Sequence, residues 1–534
     1  MSDNDTGSVS QGSQLNSEWE AELAELHQRN RMAEAMGGSE GIERQHQLGR
    51  LTVRERIAQL LDHDSFHEVG KLTGKATYDE AGHLVDVVPT NIIIGKGRVD
   101  HRKVVVHGDD FTIRGGSSES TISDKWLFAE RLACDLSVPL VRLVDASGGS
   151  IRLLEMNRAT KIPGYGYAQG RRPDLLGMVP VVSIAMGPCA GLAAVQVVAS
   201  HFSVMVKETA QVFAAGPHVV APGIGEHIDK EDLGGFRVHA RGSGVVDNEA
   251  ESESDALKQA RRFLQFLPSN VYQSPPRRPC SDSVDRRDER LASSVPHDRR
   301  KPYRMRDILA AVFDQDSLFE IGRYQGASTI TMLGRLNGYS VAVMANDPLV
   351  RGGAMTAGAA EKITRFVDLC DTFHLPVVNF VDQPGVDIGK AAEERGTIRK
   401  AVRAAYAISQ VRVPWSTVFV RRSFGVAGAA YGPFGPANIR YAWPSAYWGS
   451  IPIAGGVEAA YRRDIASAPD PKARRDELVA YYSRFESPFR TAERFGIEEV
   501  IDPRDTRGLL CEWVEEAYDI IPQNLGPRCR TMRM

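Results

Sequence analysis

The sequence predicts an α/β protein made by tandem duplication of one domain, and three features carry that prediction. The stretch TIRGGSSESTISDK (112–125) returns as LVRGGAMTAGAAEK (349–362), each with Arg-Gly-Gly and a lysine eleven residues beyond the arginine. Sliding the chain by 237 positions aligns 104–151 with 341–388 without a gap, and 14 of the 48 pairs are identical. Within both copies, β-branched runs alternate with helical segments and glycine turns, the pattern of strands feeding helices.

The identical pairs fall where substitution is most restricted. They include Asp110/Asp347, Arg114-Gly115-Gly116/Arg351-Gly352-Gly353, Lys125/Lys362, Pro139/Pro376, Asp145/Asp382 and Gly148/Gly385, and glycine and proline each constrain the backbone in ways other residues cannot copy. Upstream, a shift of 252 matches LLDHDSFHEVG (60–70) with VFDQDSLFEIG (312–322). Downstream, a shift of 234 matches Pro180 with Pro414 and Gly191-Leu192-Ala193 with Gly425-Val426-Ala427. The changes of shift are differences in loop length between two copies.

In chain order this gives a disordered tail over 1–18, an N-terminal domain over 19–267, a linker over 268–302, a C-terminal domain over 303–520 and a second tail over 521–534. The first tail has neither the basic start nor the apolar run of a signal peptide. Each repeat begins with a strand (RKVVVHGD, YSVAVMAND). After the glycine loop come a helix near 123–136 or 359–373 and a buried strand in PLVRLVD or PVVNFVD. The longest apolar stretch, VPVVSIAMGPCAGLAAVQVV (179–198), is long enough to span a bilayer. Gly187, Pro188 and Gly191 break it, so it reads as strand, tight turn and helix. The linker is rich in proline, serine and arginine, and Arg277, Arg278, Arg286, Arg287, Arg299 and Arg300 are expected to be solvated.

At 534 residues with 42% hydrophobic and 25% charged residues, the chain can bury large cores, and its net charge of -3 opposes general attraction to nucleic acid or anionic membrane. Cys134, Cys189, Cys280, Cys370, Cys511 and Cys529 form no C-x-x-C pair, which argues against a zinc ribbon or disulfide framework and for a reduced, cytoplasmic setting. His201, His218 and His227 lack metal-ligand spacing, and no metal site is expected.

The chemistry points to two turns, GPCAGLAA (187–194) and FGVAGAAYG (424–432). Each follows a buried strand and opens a helix of small residues, so unpaired N–H groups could meet a developing oxyanion. Close packing of helix on strand is the alternative for either turn alone. Two such turns at equivalent points of a duplication suit a reaction that develops charge on two oxygens. GYGYAQG (164–170) reads as a loop near the site, and ASGGS (146–150) as a structural turn, since it lacks the spacing of a serine nucleophile. Arg114, Lys125, Arg351 and Lys362 fit two readings: anion contacts or interdomain salt bridges, and solvated or helix-end groups.

Several motifs then resemble one family. MGPCAG (186–191), EDLGG (231–235), GSGVV (242–246), TRFVDLCDTFHLPVV (364–378), FVDQPG (380–385), YAWPSA (441–446) and VIDPRDTR (500–507) run in the order of the carboxyltransferase (β) subunit of biotin-dependent acyl-CoA carboxylases, of the propionyl-CoA or methylcrotonyl-CoA carboxylase type. The resemblance implies two crotonase-like (ClpP/crotonase) ββα superhelix domains and a homo-oligomer, a hexamer, with active sites between the N-terminal domain of one subunit and the C-terminal domain of another. It implies a ligase or transferase that moves a carboxyl group from carboxybiotin to the α-carbon of a coenzyme A thioester.

Under that resemblance, Gly191 and Leu192 would hold the thioester oxygen as it becomes an enolate, with Arg114, Gly148, Gly149 and Ala190 beside the acyl-CoA. Gly425, Val426 and Ala427 would hold the ureido oxygen of biotin, with Gly428, Ala429 and Ala430 nearby. No side-chain base is required. The family usually has a second glycine where this chain has Leu192 and Val426, and the second hole could instead fall at Gly428-Ala429. Small residues at Ala429 or Ala430 suggest room for a larger acyl group, and Asp247 stands where the family often has histidine. No A-M-K-M biotinylation site and no Gly-rich ATP-binding segment occurs in the sequence. The biotin carboxylase and biotin carboxyl carrier functions are therefore expected on a partner (α) chain. Two alternatives are a decarboxylase subunit running the half-reaction in reverse and a catalytically silent scaffold of the same fold.

Overall fold

The β-branched runs at the start of each repeat build matching hairpins, because alternate residues can be buried on both faces of a sheet that helices will cover. The computed structural model describes residues 18–160, 174–432 and 434–528. The GYGYAQG segment lies outside the described residues, as do 1–17 and 529–534.

The first copy supplies β1 (His67–Val69), β2 (Ile92–Val99), β3 (Arg102–Asp109), β4 (Leu140–Ala146), β5 (Val181–Ala190), β6 (Phe202–Val206), β7 (Gln211–Phe213) and β8 (Asn248–Ala250). They form a sheet ordered β1-β2-β3-β4-β5-β6-β8, with β7 paired to β5 off the main path. The second copy supplies β9 (Phe319–Glu320), β10 (Thr329–Leu336), β11 (Tyr339–Asn346), β12 (Val377–Gln383), β13 (Trp415–Phe424), β14 (Ile439–Ala442), β15 (Tyr447–Gly449) and β16 (Glu499–Val500). Their order is β9-β10-β11-β12-β13-β14-β16, with β15 paired to β13. In both sheets the first three strands pair antiparallel and the rest parallel.

The duplication extends to irregularities. The β4–β5 register shifts between Val144 and Ala146, and the β12–β13 register shifts between Val381 and Gln383, the same point of the repeat. Arg114 and Arg351 both sit at φ +51°, a left-handed backbone that non-glycine residues rarely adopt. The lysine-bearing helices are α1 (Ser123–Leu136) and, in the second copy, one at Ala357–Thr372. The apolar stretch at 179–198 is β5 followed by a turn and α2 (Leu192–Val198). Among the described residues no helix is long and apolar enough to cross a membrane.

The copies share one core. Phe202 meets Phe263 and Phe319 at ring distances of 4.9 and 5.5 Å, and His201 meets Phe373 edge-on at 4.7 Å. An ion pair reinforces the join: Arg365 donates to Asp247 Oδ2 at 2.9 Å, and the same oxygen accepts from the backbone of Ser203 at 2.8 Å. Asp247 thus holds one copy against the other.

The expectation of solvated linker arginines is corrected for Arg278 and Arg286, which are half-buried, while Arg277, Arg287, Arg299 and Arg300 are exposed. Arg286 donates to Asp282 at 2.7 Å and to the Ala311 carbonyl at 2.6 Å, and Arg299 pairs with Glu486 at 2.6 Å. Arg287 pairs with Asp505, Arg300 with Asp298 at 3.1 Å, Arg277 lies over the Tyr339 ring, and Arg278 donates to Gln265 at 3.1 Å. Leu291 is buried, and the Arg278 amide donates to the Gly338 carbonyl at 2.9 Å. Carbonyls outside the segment hold Arg286, whereas Arg300 stays 90% exposed beside Asp298 of the segment itself, and the segment packs as a strap on the second copy.

Candidate active site

Two central strands end in the same way. β5 runs into Gly191 (φ +60°) and then α2; β13 runs into Gly425 (φ +61°), which opens α4 (Gly425–Ala429), with α3 being the second-copy helix at Ala357–Thr372. A left-handed φ is what lets the chain turn from strand to helix here, and glycine takes it without strain. Neither turn is crowded. A Cβ at Gly191 would find nothing nearer than the Ala214 carbonyl at 3.8 Å, and one at Gly425 nothing nearer than the Ser450 carbonyl at 3.6 Å.

Short accessory strands fix both ends. Ala190 pairs with Phe213 of β7 and Phe424 with Gly449 of β15. The Gly191 amide donates to the Phe213 carbonyl at 3.1 Å, and Val195 is the first α2 residue whose amide returns to Gly191, also at 3.1 Å. The amides between them, on Leu192, Ala193 and Ala194, have no carbonyl within their own helix, as at any helix start.

Around the first turn the structure brings together most of the candidates. A Cβ on Gly148 (φ +84°) would lie 2.7 Å from the Ala190 carbonyl, Ser117 bridges to Gly148, and Gly149 faces open space. Leu192 is half-buried. Arg114 lies outside this contact set, exposed and 3.6 Å from Glu119. Around the second turn, Val426 is 59% exposed, with exposed Ala429 one turn further along α4, while Ala427 and Ala430 are buried. Gly428 is a packing glycine, since a Cβ there would meet the Ser423 backbone at 2.8 Å.

Beneath each turn lies a buried aspartate at the register shift. The Asp145 carboxylate accepts from Arg56 at 2.8 Å and from Arg50, and its amide donates to Asp109 at 3.1 Å. The Asp382 carboxylate accepts from Arg421 at 3.0 Å, from Arg422 at 2.6 Å and from the Tyr303 hydroxyl at 3.0 Å, and its amide donates to Asn346 at 3.1 Å. Arg422 also donates to the Gly352 carbonyl at 2.8 Å, tying the second turn to its Arg-Gly-Gly loop. Burial and the Asp382 charge push the Tyr303 phenol far up, so it stays a neutral donor. Burial, reinforced by Asp145 and Asp109, likewise raises the Cys189 thiol well above its usual range, leaving no thiolate beside the first turn.

The repeated lysines have intradomain surroundings. Lys125 lies 4.0 Å from Glu68, which accepts from Arg54 at 2.9 Å; Lys362 donates to the Gly322 carbonyl at 2.7 Å beside Glu320, which accepts from Arg306 at 2.6 Å. A shift of 252 relates Arg54 to Arg306 and Glu68 to Glu320. Arg351 pairs with Asp387 at 2.8 Å. None of these pairs bridges the two copies, which corrects the interdomain reading.

Repeat alignment could find Asp145 and Asp382 but not their arginines, which occupy non-equivalent positions. Gly187 and Pro188 stand at the places of Arg421 and Arg422 under the shift of 234. His201 is buried and neutral, pushed down to about 3 by burial, with its ring accepting from the Val181 amide at 3.0 Å. Among the described residues no cluster of metal-ligating side chains occurs.

A family model described as the carboxyl transferase domain matches residues 44–519. The chain is 34% identical over 496 residues to the propionyl-CoA carboxylase carboxyltransferase subunit of Haloferax mediterranei, covering 92% of this chain and 95% of that one. It is also 34% identical to the methylmalonyl-CoA decarboxylase subunit alpha of Veillonella parvula, covering 90% and 93%. Among solved structures, the transcarboxylase 12S hexamer with methylmalonyl-coenzyme A and methylmalonic acid bound superposes with a TM-score of 0.85 at 30% identity, covering 97% of this chain and 99% of that one.

Proposed function

We infer the roles of the two turns from one premise: the chain belongs to the carboxyl transferase family and is an acyl-CoA carboxyltransferase. The turn at Gly191 binds the thioester. Backbone N–H groups at Leu192 and Ala193 receive its carbonyl oxygen as the α-proton leaves and negative charge moves onto oxygen, which is where preorganised donors lower a barrier most. Gly148, Gly149 and Ala190 keep the neighbouring backbone free of side chains, and Arg114 stands at the rim for the coenzyme A portion.

The turn at Gly425 receives the ureido oxygen of biotin on the N–H groups of Val426 and Ala427. Carboxybiotin, carried by a biotin carboxylase and carrier partner, supplies the carboxyl group and the base for the α-proton. The register at Gly425 is favoured over Gly428, because Gly425 combines a left-handed φ with uncrowded surroundings whereas Gly428 is packed on Ser423. Ala429, exposed one turn beyond Val426, is the residue whose small side chain leaves room for a larger acyl group; Ala430 is buried in the core.

One observation carries the reading: two strand-glycine-helix turns, at φ +60° and +61°, stand at equivalent points of a duplication, and neither is crowded by its neighbours. The domain limits proposed are 19–267 and 303–520, with hexameric assembly and each site completed by another subunit, as the likeness to the 12S hexamer supports. The five described cysteines form no disulfide, which supports a cytoplasmic setting. The test is loss of the carboxyl group from malonyl-type CoA thioesters of increasing α-substituent size, with and without free biotin. Biotin-dependent loss that peaks with a bulky substituent is expected. A folded assembly inactive towards every thioester at saturating biotin would refute the reading.

A further inference from the structure

Between the two copies lies a cavity of about 260 Å³ whose walls carry Asp247 and Glu361 against Lys362, Arg365, Lys400 and Arg403. Two of those cations are spent. Arg365 holds Asp247 at 2.9 Å and Lys400 holds Glu361 at 2.8 Å. Arg403 is exposed and has no acceptor among the described residues. Lys362 donates to one backbone carbonyl, Gly322, and has no carboxylate within 4.0 Å among the described residues. Its repeat partner differs: Lys125 has Glu68 at 4.0 Å and is only 7% exposed. The duplicated lysine therefore lies against a carboxylate in the first copy and, in the second, lines the cavity with no carboxylate in direct contact.

The facing wall is unusual backbone. A π-helical turn, Arg237–Ser243, ends at Gly244 (φ +71°), and Ser243 and Gly244 line the cavity. Such turns are rare and frequently mark functional sites. Val198, the last residue of α2, also lines it, so the cavity sits at the far end of the helix that begins at Gly191, roughly 10 Å away at 1.5 Å per residue.

We propose that this interdomain cavity binds a small oxyanion, inorganic phosphate or the phosphoryl group of a small metabolite, on Lys362 and Arg403. Two cations without carboxylates give the walls an excess of positive charge that an anion would neutralise, and charge-assisted hydrogen bonds are the strong ones. Burial pushes the Lys362 ammonium down to about 7 despite the Glu320, Asp347 and Asp247 carboxylates, with Arg306 adding to the depression. His201, at the inner end beside Asp247 and Arg365, is neutral and does not titrate in this range. Anion binding thus favours the protonated lysine and weakens as pH rises above 7, by linkage.

The test is calorimetric titration of the intact assembly with sulfate, whose charge is constant from pH 7 to pH 9, and with inorganic phosphate and glycerol 3-phosphate at pH 7. The expected result is one anion per chain, bound progressively more weakly above pH 7 and by at least about tenfold more weakly in Lys362→Met. Lys125→Met, the same lysine in the first copy, should bind as wild type. Arg403→Ala, an exposed position that leaves folding intact, should bind more weakly. Tighter glycerol 3-phosphate than phosphate would assign a phosphorylated metabolite, and equal affinity would assign free phosphate. Absence of binding to the wild type, or wild-type affinity in both Lys362→Met and Arg403→Ala, would overturn the proposal.

Discussion

Asp145 and Asp382 are the same residue of a duplicated domain, each fully buried beneath a glycine turn with two arginines on its carboxylate, yet the arginines arrive from different directions. In the first copy Arg50 and Arg56 reach in from the N-terminal segment, and in the second Arg421 and Arg422 come from the strand itself. The solutions exclude each other. Gly187 stands at the place of Arg421, and even a Cβ there would clash with both the Arg50 guanidinium and the Asp145 carboxylate.

Gly187→Ala should therefore destabilise by about 1–3 kcal/mol through overpacking, and by less in an Arg50→Met background, where only the Asp145 carboxylate remains in the way of the methyl group. A double-mutant cycle on thermal midpoints measures the difference. Additive effects would show that Arg50 is not the residue the methyl group meets.

Removing either buried carboxylate strands two cations. Asp382→Ala should cost about 3–5 kcal/mol, as expected for breaking a buried pair from one side. Chemical denaturation checks the loss. Asp145→Ala should cost at least as much, because Arg50 and Arg56 are both buried whereas Arg422 is partly exposed.

Burial pushes the Lys125 ammonium down to about 8, with Arg54 adding to the depression and Glu68 opposing it, and that of Lys362 down to about 7. Between those values and the ordinary 10.5, the unfolded chain holds protons that the folded chain has shed. Stability should rise with pH across that window. Thermal midpoints at intermediate and alkaline pH should show a shallower rise in Lys125→Met than in the wild type, whereas equal slopes would contradict the assignment.

Ala429→Ile places a branched side chain on the exposed face of α4 next to Val426. It should lower kcat/KM for thioesters with bulky α-substituents about tenfold or more, within the range one or two methylenes command, and leave the smallest substrate little changed. Comparing the two specificity constants in one preparation separates this from general damage. Ala430→Ile, in the core, should instead reduce stability.

How much of this the residues announced depends on whether both copies solved a problem alike. The alternation of strands and helices, the Arg-Gly-Gly loops, the helix that carries Lys125 or Lys362 and the paired turns at Gly191 and Gly425 were legible, because glycine, proline and alternating apolar residues record backbone geometry directly. The buried aspartates were visible only as an identity. Their arginines were not, since Arg50 is remote in sequence and Arg421 has glycine as its repeat partner. The strap at 268–302 misled in part for a related reason: Arg286 looks solvated by composition, but it reaches the Ala311 and Phe313 carbonyls, whose positions only the fold determines.

The most direct test of the central claim is biotin-dependent loss of the carboxyl group from a malonyl-type thioester by Gly191→Pro and Gly425→Pro chains whose assembly and secondary structure match the wild type. Proline fixes φ near −65° and cannot hold the +60° and +61° found at these positions. The account predicts that either substitution lowers kcat by at least about a hundredfold, the cost of losing an oxyanion donor. Wild-type turnover in either folded variant would contradict it.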